Sequence, residues 1–308
     1  MAHLPRYVEL YQRGELAQRA ARARRHQQEC DLCGRHCRVD RREKVGACQT
    51  AQRAWVASFG PHHGEENPLR GWNGSGTIFF GWCNLRCIYC QNHDISHAAA
   101  GRPMTSEDLA AVMVALQEME CHNINLVSPS HVVAEILEAL VIAVEHGLRL
   151  PLVYNTGGYD SLEALKLLDG VIDIYMPDMK YGDSANGRKL SKVPNYVSVN
   201  QAAVREMHRQ VGDLVLDEDG IAQRGVLIRH LVLPNGFSSS SKVFQFLAQE
   251  ISPDSYINIM SQYRPAFKAE QMYAINRRPT PAEVDKAYQA ANQAGLHRFD
   301  KHWRRSVT

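Results

Sequence analysis

The sequence predicts an α/β fold: a partial, open (β/α)6 barrel of parallel strands with an N-terminal cysteine-rich module. Two observations lead to this prediction. From residue 77 onward, six apolar runs alternate with helical patterns, whereas residues 1–76 lack this alternation and hold four of the eight cysteines. Near-continuous apolar strands that alternate with helices are typical of a parallel sheet covered by helices. We therefore divide the chain into a helical, four-cysteine, metal-binding module (1–76) and a barrel with a C-terminal extension (77–308).

Each of the six apolar runs is predicted to form a strand. Six strand–helix units are too few for a closed eight-stranded barrel, which leaves a partial barrel or a doubly wound sheet. In both architectures, ligands bind at the carboxyl ends of the strands. The predicted strands are 77–82, 123–127, 150–154, 171–176, 225–233 and 256–260.

The helices between the strands have recognisable boundaries. Thr105 or Ser106 is expected to cap the first helix of the barrel, and Gly147 is expected to end the second. Asp160 is expected to open the third. Pro281 suits the first turn of the last helix, because proline lacks the amide proton that this position leaves unpaired.

The composition excludes several classes of protein. The 35 basic and 33 acidic residues give a net charge of +2, too small to attract nucleic acid or a membrane surface. No apolar stretch approaches the roughly 18 residues of a membrane span. The first 25 residues lack the apolar core of a secretory signal, and Glu9 and Glu15 argue against a transit peptide. We interpret this segment as a helix with a solvated basic face in a cytoplasmic protein.

A group of three cysteines directly follows the first predicted strand. Cys83, Cys87 and Cys90 have the spacing C-x3-C-x2-C. Thiolates prefer zinc or iron–sulfur clusters, and structural zinc normally takes four protein ligands. Three ligands in one loop favour a [4Fe-4S] cluster with one iron left open, which could bind a substrate or cofactor. A zinc site or three free thiols is the alternative.

The stretch "CNLRCIYCQN" (83–92), with Tyr89 before the third cysteine, resembles the radical S-adenosylmethionine (SAM) enzymes. It is most similar to the glycyl-radical-enzyme activases related to pyruvate formate-lyase activating enzyme. This resemblance implies that the three cysteines hold a catalytic [4Fe-4S] cluster, whose open iron binds SAM. SAM is then cleaved reductively, and the resulting 5′-deoxyadenosyl radical abstracts hydrogen from a protein (with a glycyl residue as one candidate), a peptide or a small molecule. The resemblance also implies an electron donor such as flavodoxin or ferredoxin, and it adds Tyr89 to the predicted cofactor-binding residues.

The same resemblance implies that later strands provide groups that bind SAM. Ser128 stands where the family usually has a Gly-Gly-Glu-Pro stretch, so the usual acid is missing. Asn155 ends the third strand, and Asp178 and Lys180 match the Asp-x-Lys of the activases after the fourth. Arg229 is predicted to face inward from the fifth strand, where a buried guanidinium needs an anion such as the SAM carboxylate.

A second group, Cys30, Cys33, Cys37 and Cys48, has the spacing C-x2-C-x3-C-x10-C. Four thiolates can complete the coordination of a zinc ion or of a second iron–sulfur cluster, and the sequence leaves both possibilities open. We predict a metal site here rather than four free thiols. The remaining cysteine, Cys121, is expected to be a buried apolar residue.

Two other segments are weaker candidates for the active site. Loop 62–66 contains two histidines and two glutamates and is a candidate cap of the site, although a solvated loop fits the sequence equally well. Gln262 and Tyr263, after the sixth strand, are candidate pocket residues.

The leading prediction is therefore a radical SAM oxidoreductase of the activase type. One alternative is a zinc-binding module that interacts with nucleic acid or protein, which the near-neutral charge disfavours. Another is a two-cluster electron-transfer protein, which would not need Asp178, Lys180 and Arg229 at strand ends.

Overall fold

A ten-stranded, mostly parallel sheet lies at the centre of the protein. The computed structural model describes residues 4–300. The first three residues of the predicted N-terminal helix and the last eight of the predicted C-terminal extension lie outside the described residues. The strands are β1 (Ala54–His62), β2 (Ser75–Phe80), β3 (Arg102–Met104), β4 (Ile124–Val127), β5 (Leu152–Thr156), β6 (Ile174–Pro177), β7 (Val215–Leu216), β8 (Ala222–Leu231), β9 (Tyr256–Met260) and β10 (Arg298–Phe299).

The six predicted strands are β2, β4, β5, β6, β8 and β9, and the prediction of a parallel arrangement is confirmed. Their order in the sheet follows their order in the chain. This is the order of a barrel, because a doubly wound sheet reverses its strand order at a switch point. The hydrogen-bonded path runs from β10 to β3. Within residues 4–300 the sheet therefore remains open, as expected for a partial barrel.

Strand β1 was not predicted. It pairs antiparallel with β2, from Val56 opposite Phe80 to His62 opposite Ser75. Antiparallel neighbours need no helical crossover, so β1 interrupts the strand–helix alternation on which the prediction relied. The segment before residue 77 thus contributes a strand to the sheet, and the predicted boundary at residue 76 falls inside β2.

Helices cover the outer face of the sheet, and the main apolar core lies between the two layers. A π-helical segment, Leu247–Ile251, continues α10. The helices are α1 (Arg6–Gln12), α2 (Glu15–His26), α3 (Asn67–Arg70), α4 (His93–Ser96), α5 (Ser106–Glu118), α6 (Val133–Glu145), α7 (Leu162–Leu168), α8 (Ser184–Ser191), α9 (Tyr196–Val211), α10 (Ser240–Phe246) and α11 (Pro281–Ala294).

The helix caps agree with the sequence at one predicted boundary and differ at another. Thr105 caps α5 and forms a capping box with Asp108, as its position before a polar first turn predicted. Asp160 does not cap α7, because Ser161 does so instead. Asp160 is buried and accepts a hydrogen bond from Thr156 at 2.8 Å. The prediction for Asp160 is therefore wrong by one residue.

The predicted N-terminal helix is two helices, α1 and α2, separated at Gly14, whose φ of 71° is left-handed. Helix α2 packs on α6. The predicted solvated basic face agrees with the exposed Arg13, Arg22 and Arg25. Arg24 differs, because it is partly buried and pairs with Glu135 (3.1 Å) and Glu138 of α6. None of the helices within residues 4–300 has the length and apolar character that crossing a membrane requires.

Candidate active site

A cavity of about 290 Å³ lies at the carboxyl ends of the parallel strands. It brings together eight of the nine residues that the sequence assigned to the catalytic cluster and to cofactor binding. Cavities at this end of a barrel are the usual location of active sites. The eight residues are Cys83, Cys87, Cys90, Ser128, Asn155, Asp178, Lys180 and Arg229.

The three thiols of this cavity are largely buried, and two of them contact serine hydroxyls. Cys87 Sγ lies 3.0 Å from Ser191 Oγ, and Cys90 Sγ lies 3.1 Å from Ser96 Oγ. Burial raises the pKa of Cys83 to about 12 and that of Cys87 to about 11. Since metals bind the thiolate form, loading this site must release protons.

The donor set of the cavity fits a [4Fe-4S] cluster. Within residues 4–300, no group of three or more His, Cys, Asp or Glu side chains is arranged to hold a single metal ion. The three cysteines instead line one wall of a cavity. A cluster needs this wider arrangement, because each thiolate binds a different iron, and three thiolates leave the fourth iron open.

Asp178, Lys180 and Arg229 form a buried charged group in the same cavity. Arg229 Nε lies 2.9 Å from Asp178 Oδ1, and its Nη2 donates to Asn155 Oδ1 at 2.6 Å. Lys180 Nζ pairs with the other oxygen of Asp178. Burial alone would raise the pKa of Asp178, but the two cations outweigh it and hold the pKa below its usual value. Lys180 and Arg229 therefore share the carboxylate of Asp178.

The orientation of β8 agrees with the prediction that Arg229 faces inward. The next residue, His230, points to the other face, where it is buried, contacts the Met179 carbonyl through Nδ1 at 2.7 Å and packs against Phe244. Successive side chains of a strand alternate between faces, so only one of this pair can reach the cavity.

The turn after β4 lacks the acidic residue of the family's usual Gly-Gly-Glu-Pro stretch, as the sequence indicated. Ser128 lines the cavity with a left-handed φ of 60° and donates its backbone N–H to Asn155 O at 2.9 Å. Ser130, in the same turn, contacts the Thr156 hydroxyl through its own hydroxyl at 2.9 Å. No carboxylate belongs to this turn.

Tyr89 is the one predicted cofactor-binding residue that does not line the cavity. Tyr89 is buried behind the cysteine loop, outside the cavity lining. Its hydroxyl lies 2.6 Å from that of Tyr181, which lies 2.6 Å from Ser191 Oγ. Tyr89 therefore belongs to a chain of hydroxyl groups that ends at Cys87 Sγ. Tyr263 is also buried behind the loop, where its ring packs against Tyr89.

Glu65 belongs to loop 62–66, which the sequence indicated only as a candidate cap of the site. It lines the cavity, accepts a hydrogen bond from Asn125 at 2.7 Å and lies 3.8 Å from Arg229 Nη1. Burial and the adjacent Glu66 raise the pKa of Glu65 to about 8. Glu66 itself is buried and accepts a hydrogen bond from Asn258. The loop between β1 and β2 thus brings a carboxyl group into the site.

The four N-terminal cysteines also lie together. Cys30, Cys33, Cys37 and Cys48 line a second, much smaller cavity, beside His131. Cys121 is buried in the apolar core, as predicted.

Comparisons with known proteins agree with this geometry. Residues 77–218 match the model of the Radical SAM superfamily. The chain is 32% identical over 277 residues to the protein named "Uncharacterized protein MJ0674" of Methanocaldococcus jannaschii, covering 87% of this chain and 75% of the relative.

Solved structures show a more distant likeness. The FeFe-hydrogenase maturase HydG from Carboxydothermus hydrogenoformans is 15% identical, with a TM-score of 0.48 over 70% of this chain and 49% of HydG. The radical S-adenosylmethionine methyltransferase TsrM from Kitasatospora setae is 16% identical, with a TM-score of 0.45 over 70% of this chain and 42% of TsrM.

Proposed function

The chain belongs to the radical SAM superfamily, and we propose that it is an activase-like oxidoreductase that abstracts hydrogen from a protein or peptide. Membership of the superfamily implies an enzyme with a [4Fe-4S] cluster and SAM. When bound, the cluster supplies the electron that cleaves SAM to methionine and a 5′-deoxyadenosyl radical. The observation that carries the proposal is that Cys83, Cys87 and Cys90 share one cavity with the inward-facing Asp178 and Arg229.

The cysteine loop holds the cluster through its three thiolates. The hydroxyl of Ser191 lies within hydrogen-bond distance of Cys87, and that of Ser96 lies close to Cys90. Hydrogen bonds to ligating sulfurs stabilise negative charge and are one way a protein sets the potential of a cluster. The surrounding walls exclude water from the reacting groups.

The charged group of Asp178, Lys180 and Arg229 binds the carboxylate of SAM. Arg229 and Lys180 both pair with Asp178, and Arg229 Nη1 also lies 3.8 Å from Glu65. An incoming carboxylate would bind beside these two cations. Asn155 accepts a hydrogen bond from Arg229 and thereby fixes the guanidinium plane. A fixed guanidinium forms the planar, paired hydrogen bonds that a carboxylate accepts best.

Glu65 supplies the carboxyl group that the turn at Ser128 lacks. It reaches the same cavity from a different part of the chain, and an ammonium group beside it would favour its ionised form. We assign Glu65 to the ammonium of SAM or to that of a substrate.

The proposed substrate follows from the openness of the barrel, and the proposed electron donor follows from the family resemblance. An open sheet leaves room for a loop of a protein, so a glycyl residue of a partner or a peptide is preferred to a small molecule. The electron comes from a one-electron donor of the flavodoxin or ferredoxin class. This chemistry requires a reducing, low-oxygen compartment, for which we propose the cytoplasm.

The test is electron paramagnetic resonance of the anaerobically reconstituted, dithionite-reduced protein, with and without SAM, together with an assay for 5′-deoxyadenosine. We expect the signal of a reduced four-iron cluster that changes when SAM is added, and formation of deoxyadenosine. Cys83→Ala should abolish both the SAM-dependent change and the product. Bound zinc without iron would refute the enzyme and favour a zinc-binding interaction module.

A further inference from the structure

The N-terminal cysteines surround a site of their own. Cys33 and Cys48 are buried, and Cys30 and Cys37 are half-buried. All four are free of disulfide bonds, and they line one void of about 10 Å³. This is roughly the space of one water-sized sphere. Four soft ligands around a common void form a closed donor set that is distinct from the three-cysteine loop of the active site.

We propose that these four cysteines hold a second [4Fe-4S] cluster, which passes electrons to the catalytic cluster. The size of the void favours a cluster over zinc. Zn–S bonds are only about 2.3 Å long, so four thiolates around one zinc ion leave no space for a sphere of the size of water between them. A four-iron cluster lies inside a wider ring of thiolates and accepts four cysteine ligands.

Two side chains that line this void each have a nitrogen without a partner among the described residues. These buried atoms are Arg35 Nη2 and His131 Nδ1. A buried polar atom without a partner is costly, and such atoms commonly mark a ligand that is bound in the working protein. The sulfurs of a cluster would accept a hydrogen bond from Arg35.

A buried cation completes the environment of the site. Arg41 is 1% exposed, and its donors are directed to backbone carbonyls, including that of His131 at 2.8 Å. The nearest carboxylate oxygen, on Glu135, is 3.8 Å away, and Arg24 shares it. An anionic cluster with four thiolate ligands beside Arg41 would offset this charge, which a set of neutral thiols does not.

The two cysteine loops are joined by direct hydrogen bonds. Arg35, two residues after Cys33, donates from Nε to the carbonyl oxygen of Asn84 at 2.7 Å. Asn84 is the residue after Cys83. A continuous path of covalent bonds and one hydrogen bond therefore connects the two cysteine groups.

A second hydrogen bond joins the two cysteine loops, with its donor in the catalytic loop. Arg86, the residue before Cys87, donates to the carbonyl oxygen of Ala47 at 2.6 Å. Ala47 precedes Cys48. The N-terminal site thus lies between the protein surface, where Cys30 and Cys37 are partly exposed, and the catalytic loop.

The relay rests on the proposed function, whereas the second cluster itself does not. One electron enters the N-terminal cluster from an external one-electron reductant, and the same electron leaves it for the catalytic cluster. The N-terminal cluster is reduced once and reoxidised once for each SAM cleaved. No proton, bond or further reactant is involved in this step.

The metal is tested with a full-length variant that lacks the catalytic ligands, made by Cys83→Ala, Cys87→Ala and Cys90→Ala together. After anaerobic reconstitution with iron and sulfide, we expect about four iron atoms per chain and a cluster signal on reduction. The same variant with Cys33→Ala added should lose both. Zinc in place of iron, or no bound metal, would overturn the proposal. This result does not depend on SAM chemistry, so it is separate from any failure of the proposed function.

The relay is tested with Cys30→Ser/Cys33→Ser, once spectroscopy shows that the catalytic cluster is intact. Reduced flavodoxin is too large to enter the cavity, whereas photoreduced 5-deazaflavin is small. We expect deoxyadenosine formation to fall about ten-fold or more with flavodoxin and much less with deazaflavin. Arg42→Gln, at an exposed residue of the same segment, is the matched control. Equal rates for variant and wild type with flavodoxin would overturn the relay.

Discussion

Arg229 and Asp178 form an ion pair across the neighbouring strands β8 and β6, with Nε and Oδ1 2.9 Å apart. Lys180 holds the second oxygen of the same carboxylate, and all three residues line the cavity that contains the cysteines. The pair therefore links a residue within one strand to the end of another. Its geometry places both cations in the cavity that contains the thiols.

Arg229→Lys should weaken SAM binding while keeping the charge of the site. Lysine is a point donor, and it cannot contact Asp178 and Asn155 at once in the fixed geometry that the guanidinium provides. Loss of one hydrogen bond to a charged group corresponds to about 1.5–3 kcal/mol, and we expect SAM affinity to fall at least about ten-fold. Equilibrium dialysis with the reconstituted protein measures this.

Arg209→Lys is the control for that experiment. Arg209 forms ion pairs with Glu206 and Asp169 but is 58% exposed and distant from the cavity lining, so its substitution should leave SAM affinity unchanged. If Arg229→Lys also binds SAM as tightly as the wild type, the arginine serves packing and the assignment of the carboxylate is wrong.

Ser191→Ala should lower the midpoint potential of the catalytic cluster. The serine hydroxyl lies 2.6 Å from that of Tyr181, from which it can accept a hydrogen bond, and it can donate its own proton to Cys87 Sγ. Such a hydrogen bond to sulfur stabilises the more negative, reduced cluster. Its loss makes reduction harder. A redox titration followed by electron paramagnetic resonance measures the shift. Ser198→Ala, at a hydroxyl that bonds only within its own exposed helical turn, is the control and should not move the potential.

Thr280→Ala should destabilise the protein by about 1 kcal/mol without affecting the cluster. Thr280 caps α11 and forms a capping box with Glu283, whose side chain also pairs with Arg277 at 2.7 Å. The variant removes the side-chain acceptor of the Glu283 backbone amide. Denaturant unfolding of the full chain measures the loss. Thr280→Ser, which retains the hydroxyl, should recover most of it, and equal loss in both variants would rule out the cap as the cause.

The sequence alone predicted those features that depend on residues close together in the chain. The six parallel strands were predictable because each is a short, nearly continuous apolar run, and the cysteine motif lies within eight residues. Strand alternation indicated that only one of Arg229 and His230 faces inward, and the family resemblance identified it as Arg229. In contrast, the contact of Glu65 with Asn125 joins residues 60 positions apart and depends on β1, whose antiparallel pairing breaks the alternation. The position of Tyr89 behind the loop likewise depends on Tyr181, 92 residues away.

Glu65→Gln should stabilise the unliganded protein at alkaline pH and leave it unchanged in acid. The pKa of Glu65 is raised from its ordinary value of 4.5 to about 8 in the folded protein, because burial and the neighbouring Glu66 disfavour its charge. The unfolded chain therefore loses this proton near pH 4.5, while the folded chain keeps it to about pH 8. Wild-type stability falls as pH rises through this window. Glutamine has no proton to lose and can still accept the hydrogen bond from Asn125.

The expected result is a melting temperature for Glu65→Gln that exceeds that of the wild type by about 2 °C or more at pH 8.5, with no difference near pH 4. Glu218→Gln, at an exposed residue, should match the wild type at both pH values. Because a bound ammonium group would favour the ionised form of Glu65, saturating SAM should remove or reverse the advantage of the variant at pH 8.5 if Glu65 binds the amine of SAM. An advantage that persists in the presence of SAM would instead assign this carboxylate to the substrate.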